Sequence, residues 1–176
     1  MKYKKGQVWI ETTLYTLIGL AIIAMVLTYA LPKITSYQEK IVIEQSINSM
    51  RQLDSLINAV ASAGPGNRRS YDINFKTGEL IFNGSSENVY FILKELSKPY
   101  SEVGIPINQK GVVVKTSQET KKYSTRLDLN YNSNNTDIAT EDGAILSLPP
   151  SAVGYRIWVY HNGTASGKNQ IVVSLN

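Results

Sequence analysis

The 176-residue sequence contains no cysteine and only one histidine, His161. Without cysteine the chain has neither disulfide bonds nor thiolate chemistry, so an extracellular domain would have to fold on packing alone. His161 precedes Asn162-Gly163, a pair typical of hairpin turns, which predicts a solvated loop residue rather than a catalytic base. The sequence also offers no combination of nucleophile and base, which predicts that the protein is not an enzyme and needs no cofactor.

A calcium loop is also incomplete. Asp128, Asn130 and Asn132 alternate as the first ligands of such a loop do, but serine stands where the loop needs glycine and Ala139 where it needs glutamate. The pattern is more typical of a strand that leads into a polar turn. The sequence therefore predicts no metal site.

Apart from its first five residues, the chain has almost no net charge. The formal net charge is +4, but three of the 18 basic residues, Lys2, Lys4 and Lys5, lie at the extreme N-terminus. The remaining basic residues nearly balance the 14 acidic residues. No basic stripe with interleaved aromatic residues remains, which argues against a nucleic acid as a partner.

The clearest positive signal is a long uncharged segment, which runs from Thr12 to Leu31. At about 1.5 Å of rise per residue, this helix is long enough to cross a hydrocarbon core of roughly 30 Å. Because the lysines precede it, the positive-inside rule predicts a single-pass protein with a cytoplasmic N-terminus and most of the chain outside the cell.

The residues in front of this segment form a recognisable pattern. Lys4-Lys5-Gly6 is followed by Gln7-Val8-Trp9-Ile10-Glu11, which resembles the class III signal peptide of type IV pilins, above all archaeal pilins and archaellins. The resemblance implies that a prepilin peptidase cleaves between Gly6 and Gln7. It also implies that Glu11, then the fifth residue of the mature chain, pairs with the terminal ammonium of a neighbouring subunit during filament assembly.

The resemblance covers roughly residues 2 to 31 and has departures. Trp9 stands where the closest archaeal pilins often have serine, and Tyr15 where the family has leucine. Two alternatives stay open, an uncleaved signal anchor and an ordinary secretory signal ending at Thr28-Tyr29-Ala30. An ordinary signal, however, has a shorter apolar core and no carboxylate at its entrance.

The helix is predicted to continue beyond Pro32, which should kink it because proline removes a backbone donor. Apolar residues then recur every three or four positions, which indicates an amphipathic helix with one buried stripe. Gly64-Pro65-Gly66-Asn67 is predicted to end it. The residues of the stripe are Ile43, Ile47, Met50, Leu53, Ile57 and Val60.

Beyond this helix the hydrophobic period changes to that of strands. Tyr71, Ile73 and Phe75 alternate with polar residues, and a turn at Lys76-Thr77-Gly78 leads to Leu80-Ile81-Phe82, which predicts a hairpin. Further strands are predicted at 89–93, 112–115, 124–131, 155–160 and 171–175. A fragment from about Met50 onward is therefore predicted to be soluble, monomeric and rich in strand.

Three acceptor sequons lie in predicted loops of the exported part, at Asn83, Asn134 and Asn162. Each asparagine is a possible attachment site for an N-linked glycan. Together with the leader they favour an archaeal cell-surface glycoprotein.

These observations predict an α+β protein in which a long N-terminal helix, transmembrane and then amphipathic, precedes a mainly antiparallel β head. The predicted organisation is a leader at 1–6, a transmembrane or filament-core helix at 7–31, an amphipathic extension at 32–63 and an extracellular head at 64–176. The predicted function is that of a type IV pilin-like subunit, which associates with the membrane, prepilin peptidase and other subunits in a surface filament. The alternative is a membrane-anchored extracellular β domain that does not assemble and binds at the cell surface.

Overall fold

The computed structural model describes residues 4–131, 135–141 and 145–175, and only the backbone of residues 4–7. Within these residues one α-helix, α1 (Lys4–Ala63), is followed by ten strands and a single 3-10 turn at Gly84–Ser86. The chain divides after Gln38 into two compact units, and we refer to the second, from Glu39 onward, as the β unit. The predicted fold class is confirmed, because a long N-terminal helix precedes a mostly antiparallel β domain.

Helix α1 continues through Pro32 and ends where the sequence predicts. Gly64 and Gly66 follow it with φ angles of 84° and 85°. This left-handed conformation is accessible to glycine at little cost and terminates helices. The kink expected at Pro32 stays a prediction.

The amphipathic stripe of α1 is confirmed as core. Ile43, Ile47 and Met50 are 1–5% exposed, and the three apolar residues of the last turns are fully buried. These last residues are Leu53, Ile57 and Val60. A helix this apolar on one side folds because that side is removed from water by the strands.

The strands form two sheets. The four-stranded sheet has the order β1-β9-β10-β7, and the six-stranded sheet the order β4-β5-β6-β3-β2-β8. All named pairings are antiparallel except β10 with β7. The bounds are β1 Arg68–Ile73, β2 Glu79–Asn83, β3 Asn88–Leu96, β4 Ile107–Gln109, β5 Val112–Glu119, β6 Lys122–Asn130, β7 Thr136–Thr140, β8 Ile145–Leu148, β9 Tyr155–Ala165 and β10 Lys168–Leu175.

One hydrophobic core joins the helical stripe to both sheets. The four-stranded sheet contributes Ile157 and Val173 to this core, among others. The six-stranded sheet contributes Phe82 and Leu127, among others. On β6 and β9, Leu127 and Ile157 alternate with more exposed neighbours, which places the core on one face of these strands.

The predicted hairpin around Lys76-Thr77-Gly78 is wrong. β1 pairs with β9, whereas β2 pairs with β3 and β8, so the two strands belong to different sheets. The predicted break between the two strands is confirmed, and Gly78 within it has a φ of 89°. A turn signal between two alternating segments fixes a chain reversal, but it does not fix which strands form hydrogen bonds.

The five other predicted strands are found, each longer than its apolar pattern. The sequence analysis missed β4, β7 and β8, which are three to five residues long. Strands this short carry too few alternating positions to stand out from loops.

Candidate functional site: the exposed apolar helix

The N-terminal half of α1 presents large apolar side chains to solvent around its circumference. Exposure is 78% for Trp9, 57% for Ile22 and 75% for Met25. Within Val8–Ala63 an 18-residue window reaches a mean hydropathy of 2.2 with none of the window buried. In the described part of the chain this is the one helix long and apolar enough to cross a membrane.

The threonine hydroxyl groups of this segment are satisfied within the helix. Thr12, Thr16 and Thr28 each donate from Oγ1 to the backbone carbonyl four residues earlier, at 2.8–2.9 Å. An unsatisfied donor would be costly in hydrocarbon, where water cannot replace the missing partner. These threonines therefore do not prevent the segment from entering a lipid environment.

Aromatic residues mark both ends of the apolar segment. Trp9 precedes it, whereas Tyr29 and Tyr37 lie near its end and are 72% and 68% exposed. The Lys33 ammonium lies 5.9 Å from the centroid of the Tyr29 ring. Tryptophan, tyrosine and lysine are typical of the interface between hydrocarbon and water.

The residues of the predicted leader site lie on α1. Glu11 is exposed on the helix, one turn before Tyr15. Gly6 and Gln7 belong to the helix, where only their backbone is described. The site is therefore a linear stretch of helix rather than a cluster assembled by the fold.

Within the β unit, two contacts show which strand ends lie near Glu39 on α1 and which lie near Asp54. Glu39 accepts hydrogen bonds from the backbone N–H of Ser97 at 2.9 and 3.0 Å and from its hydroxyl at 2.6 Å. Near the other end, the phenol of Tyr131 donates to Asp54 at 2.7 Å. We refer to these ends as the Glu39 end and the Tyr131 end.

The sequence analysis missed both contacts, because 58 residues separate Glu39 from Ser97 and 77 separate Asp54 from Tyr131. An isolated polar residue on an amphipathic helix carries no signal of its distant partner.

Two sequons lie at the Tyr131 end. Asn83 is the last residue of β2 and is half-buried, and its Oδ1 accepts a bond from the backbone of Ser86 at 3.1 Å. Asn162 is exposed, but it lies on β9 rather than in the predicted loop. The sequon at Asn134 lies outside the described residues.

The prediction that His161 is a solvated loop residue is wrong. It is 3% exposed and lies on β9, not in a solvated turn. Its Nδ1 accepts a hydrogen bond from the backbone of Gly163 at 3.0 Å. The actual β9–β10 turn is at Ser166 and Gly167, four residues further than the Asn-Gly pair indicated.

The incomplete calcium motif falls partly on β6, where Asp128 is paired with Arg126 at 2.7 Å. Asn132 lies outside the described residues. Within residues 4–131, 135–141 and 145–175 there is no group of three histidine, cysteine or acidic side chains suited to a metal ion.

A cavity of about 440 Å³ lies between the helix and the segment after β1. Its lining includes the apolar residues Met50, Ile73 and Phe91 and the polar residues Ser49 and Lys76. It brings together no acid and base suited to catalysis among the residues that line it.

Comparison with protein-family models, with curated proteins and with solved structures gives no match for this chain.

Proposed function

We propose that this chain is the precursor of a type IV pilin-like structural subunit. It is held in the membrane by one helix with its N-terminus in the cytoplasm, and it is cleaved by a prepilin peptidase between Gly6 and Gln7. The mature subunit then assembles with further subunits into an extracellular surface filament through the same helix. The proposal includes an archaeal source and a glycan at the exposed Asn162.

The observation that carries the proposal is the exposed apolar surface of residues 8–31, which precede a compact β unit in the chain. A helix that is apolar on all sides is stable in lipid or among other apolar helices, and not in water. Lipid covers this surface in the precursor, and neighbouring helices cover it in the filament.

Small residues support close packing of such helices. Gly19, Ala21 and Ala24 lie within the apolar segment, and a Cβ built on Gly19 would meet no atom within 4 Å in the single chain. Because lipid tails are as apolar as leucine, helices associate in a membrane where small residues permit close approach.

Glu11 distinguishes a filament subunit from a permanent anchor. A carboxylate at the edge of hydrocarbon is costly unless it stays at the interface or pairs with a cation. Cleavage after Gly6 creates an ammonium group on every subunit in the same layer. We propose that Glu11 pairs with that ammonium on a neighbouring subunit, which gives assembly its register.

The first test is the N-terminus of the native protein, determined by mass spectrometry. We expect it to begin at Gln7, and Gly6→Val should leave the uncleaved precursor in the membrane. Gly19→Ala is the matched control, because it changes another glycine of α1 where an added Cβ meets open space. A native protein that retains residues 1–6, or that begins at Leu31, would contradict the proposal.

The second test concerns Glu11. Glu11→Gln should insert, be cleaved and display a folded β unit, yet yield few or no filaments by electron microscopy, because the neighbouring ammonium loses its counter-charge. Glu11→Asp, which keeps the charge, is the control and should retain more filaments. Wild-type filament numbers in Glu11→Gln cells would count against the proposed mechanism.

The second candidate function is a non-assembling anchored domain that binds at the cell surface. One spanning helix is sufficient for that role, and this is the observation that favours it. It predicts no cleavage after Gly6 and no filament defect in Glu11→Gln, so the same two tests separate the candidates.

A further inference from the structure

The loop between β3 and β4 exposes an apolar pair on a fixed backbone. Val103 is 42% exposed and Ile105 is 47% exposed. The loop does not bury them, although its backbone is well anchored. The N–H of Gly104 donates to the carbonyl of Thr116 at 2.9 Å, and the N–H of Ser101 donates to the hydroxyl of Thr116 at 3.2 Å.

Strand register locates this loop at the Glu39 end of the β unit. Thr116 is opposite Thr125, which is in turn opposite Leu93, close to the end of β3. The next residue after β3 is Ser97, whose N–H and hydroxyl bind Glu39. The loop that exposes Val103 therefore begins at Ser97, the residue that is hydrogen-bonded to Glu39.

Glu39 follows the apolar segment closely. It comes eight positions after Leu31, the last residue of the uncharged run. At about 1.5 Å per residue, eight helical residues cover no more than about 12 Å. A headgroup layer is several ångströms thick, since it accounts for the difference between a core of about 30 Å and a bilayer of about 40–45 Å. If Leu31 marks the edge of the hydrocarbon, the Glu39 end is tethered within a few ångströms of the lipid headgroups.

The charged side chains at this end are mixed. Lys98, Lys121 and Lys122 are exposed there, and the last two lie in or next to the β5–β6 turn. Glu102 and Glu119 accompany them. Because the two signs nearly balance, attraction to an anionic surface is weak, and a lipid contact depends mainly on the apolar pair.

We propose that the loop containing Val103 and Ile105 rests on the lipid surface of the membrane that the helix crosses. The two side chains enter the interfacial layer, and this contact orients the β unit on the membrane before assembly. This inference rests on the membrane-held precursor proposed above, and it adds a second membrane contact outside the helix.

The experiment uses the absence of cysteine from the chain. Val103→Cys and, as an independent second position, Ile105→Cys are labelled with an environment-sensitive thiol dye in the full chain, which is reconstituted into phosphatidylcholine–phosphatidylglycerol vesicles. Ile145→Cys is the matched control, because Ile145 is also an exposed isoleucine, at 59%, but it pairs with Asn83 at the opposite end. Nitroxide lipids labelled near the headgroup report contact with the bilayer.

The expected result is a blue shift and a loss of emission with nitroxide lipids at positions 103 and 105, and neither change at position 145. Flotation of the vesicles establishes separately that the helix is inserted. If the chain floats and positions 103 and 105 behave like position 145, the lipid contact is wrong while the anchor stands. A blue shift without nitroxide quenching would assign the surface to a second copy and also overturn the inference. A chain that does not float contradicts both proposals.

Discussion

At the scale of single residues, Tyr131 joins parts of the chain that are distant in sequence. The residue is 1% exposed, and its phenol donates to the carboxylate of Asp54 on α1. Its backbone N–H donates to the carbonyl of Glu87 at 2.9 Å. Tyr131 therefore connects the helix, the end of β6 and the segment before β3.

Tyr131→Phe should destabilise the β unit by about 1–3 kcal/mol, because Asp54 keeps its partly buried position and loses its donor. Urea unfolding of the chain in detergent micelles, followed by Trp158 fluorescence in a Trp9→Phe background, measures the effect. Tyr37→Phe is the control and should leave the midpoint unchanged, since Tyr37 is 68% exposed. An unchanged midpoint for Tyr131→Phe would show that the bond adds nothing to stability.

The same tyrosine predicts alkaline sensitivity. Burial raises the pKa of Tyr131 above its ordinary 10.0, and the negative charge of Asp54 raises it further. Above pH 10 the folded chain therefore holds a proton that the unfolded chain has lost, so stability decreases as the pH rises through this range. Burial raises the pKa of Tyr71 and Tyr100 in the same direction.

The urea midpoint should therefore fall above about pH 10. The fall should be smaller, but still present, in Tyr131→Phe. Equal falls in the two proteins would mean that ionisation of Tyr131 contributes nothing to the alkaline loss.

At the scale of elements, α1 has two different surroundings along one continuous run. Around Ile22 its apolar side chains are exposed on all sides, whereas around Leu53 one stripe is fully buried against strands. The apolar side chains of the first part need contacts that the single chain does not supply. The buried stripe of the second part is packed against strands of the same chain.

This difference predicts unequal effects of the same substitution on one helix. Ile22→Arg places a charge near the middle of the apolar segment, at a cost of roughly 2.5–3.5 kcal/mol for insertion. Ile41→Arg, at an isoleucine that is 53% exposed and outside the segment, is the matched control. Carbonate extraction of membranes should release more of the first variant than of the second. Equal retention would argue that residues 12–31 are not the spanning segment.

At the scale of the whole molecule, the second compact unit begins at Glu39 and not at the first strand. Ile43 and Ile47 belong to its core with exposures of 2% and 5%. The last 25 residues of α1 are therefore as much a part of the β unit as its strands are.

A fragment from Glu39 to the C-terminus should consequently be soluble, monomeric and more stable than one that starts at Met50. The shorter fragment lacks Ile43 and Ile47, and full burial of one such side chain is worth about 1.5–3 kcal/mol. It also lacks the contact between Glu39 and Ser97. Thermal unfolding and analytical ultracentrifugation of both fragments measure the difference. Equal melting temperatures would mean that the first turns of this unit contribute little.

The sequence by itself determined the features that depend on neighbouring residues. The uncharged run, the amphipathic stripe from Ile43 to Val60, the helix stop at Gly64 and seven of the ten described strands could all be predicted, and the structure contains them. Helical and strand periods are local, because each residue's burial follows from its position within one element. The leader pattern at Gly6, Gln7 and Glu11 is also local, and its role stays a prediction.

Only the tertiary structure decided the features that depend on pairing between distant residues. It separated β1 from β2, buried His161, joined β7 to β10 in parallel, and brought Ser97 to Glu39. It also placed Val103 and Ile105 at the Glu39 end of the β unit. The physical reason is that local patterns specify which face of a strand is buried, whereas its hydrogen-bonded neighbours are chosen by how all the elements close around one core.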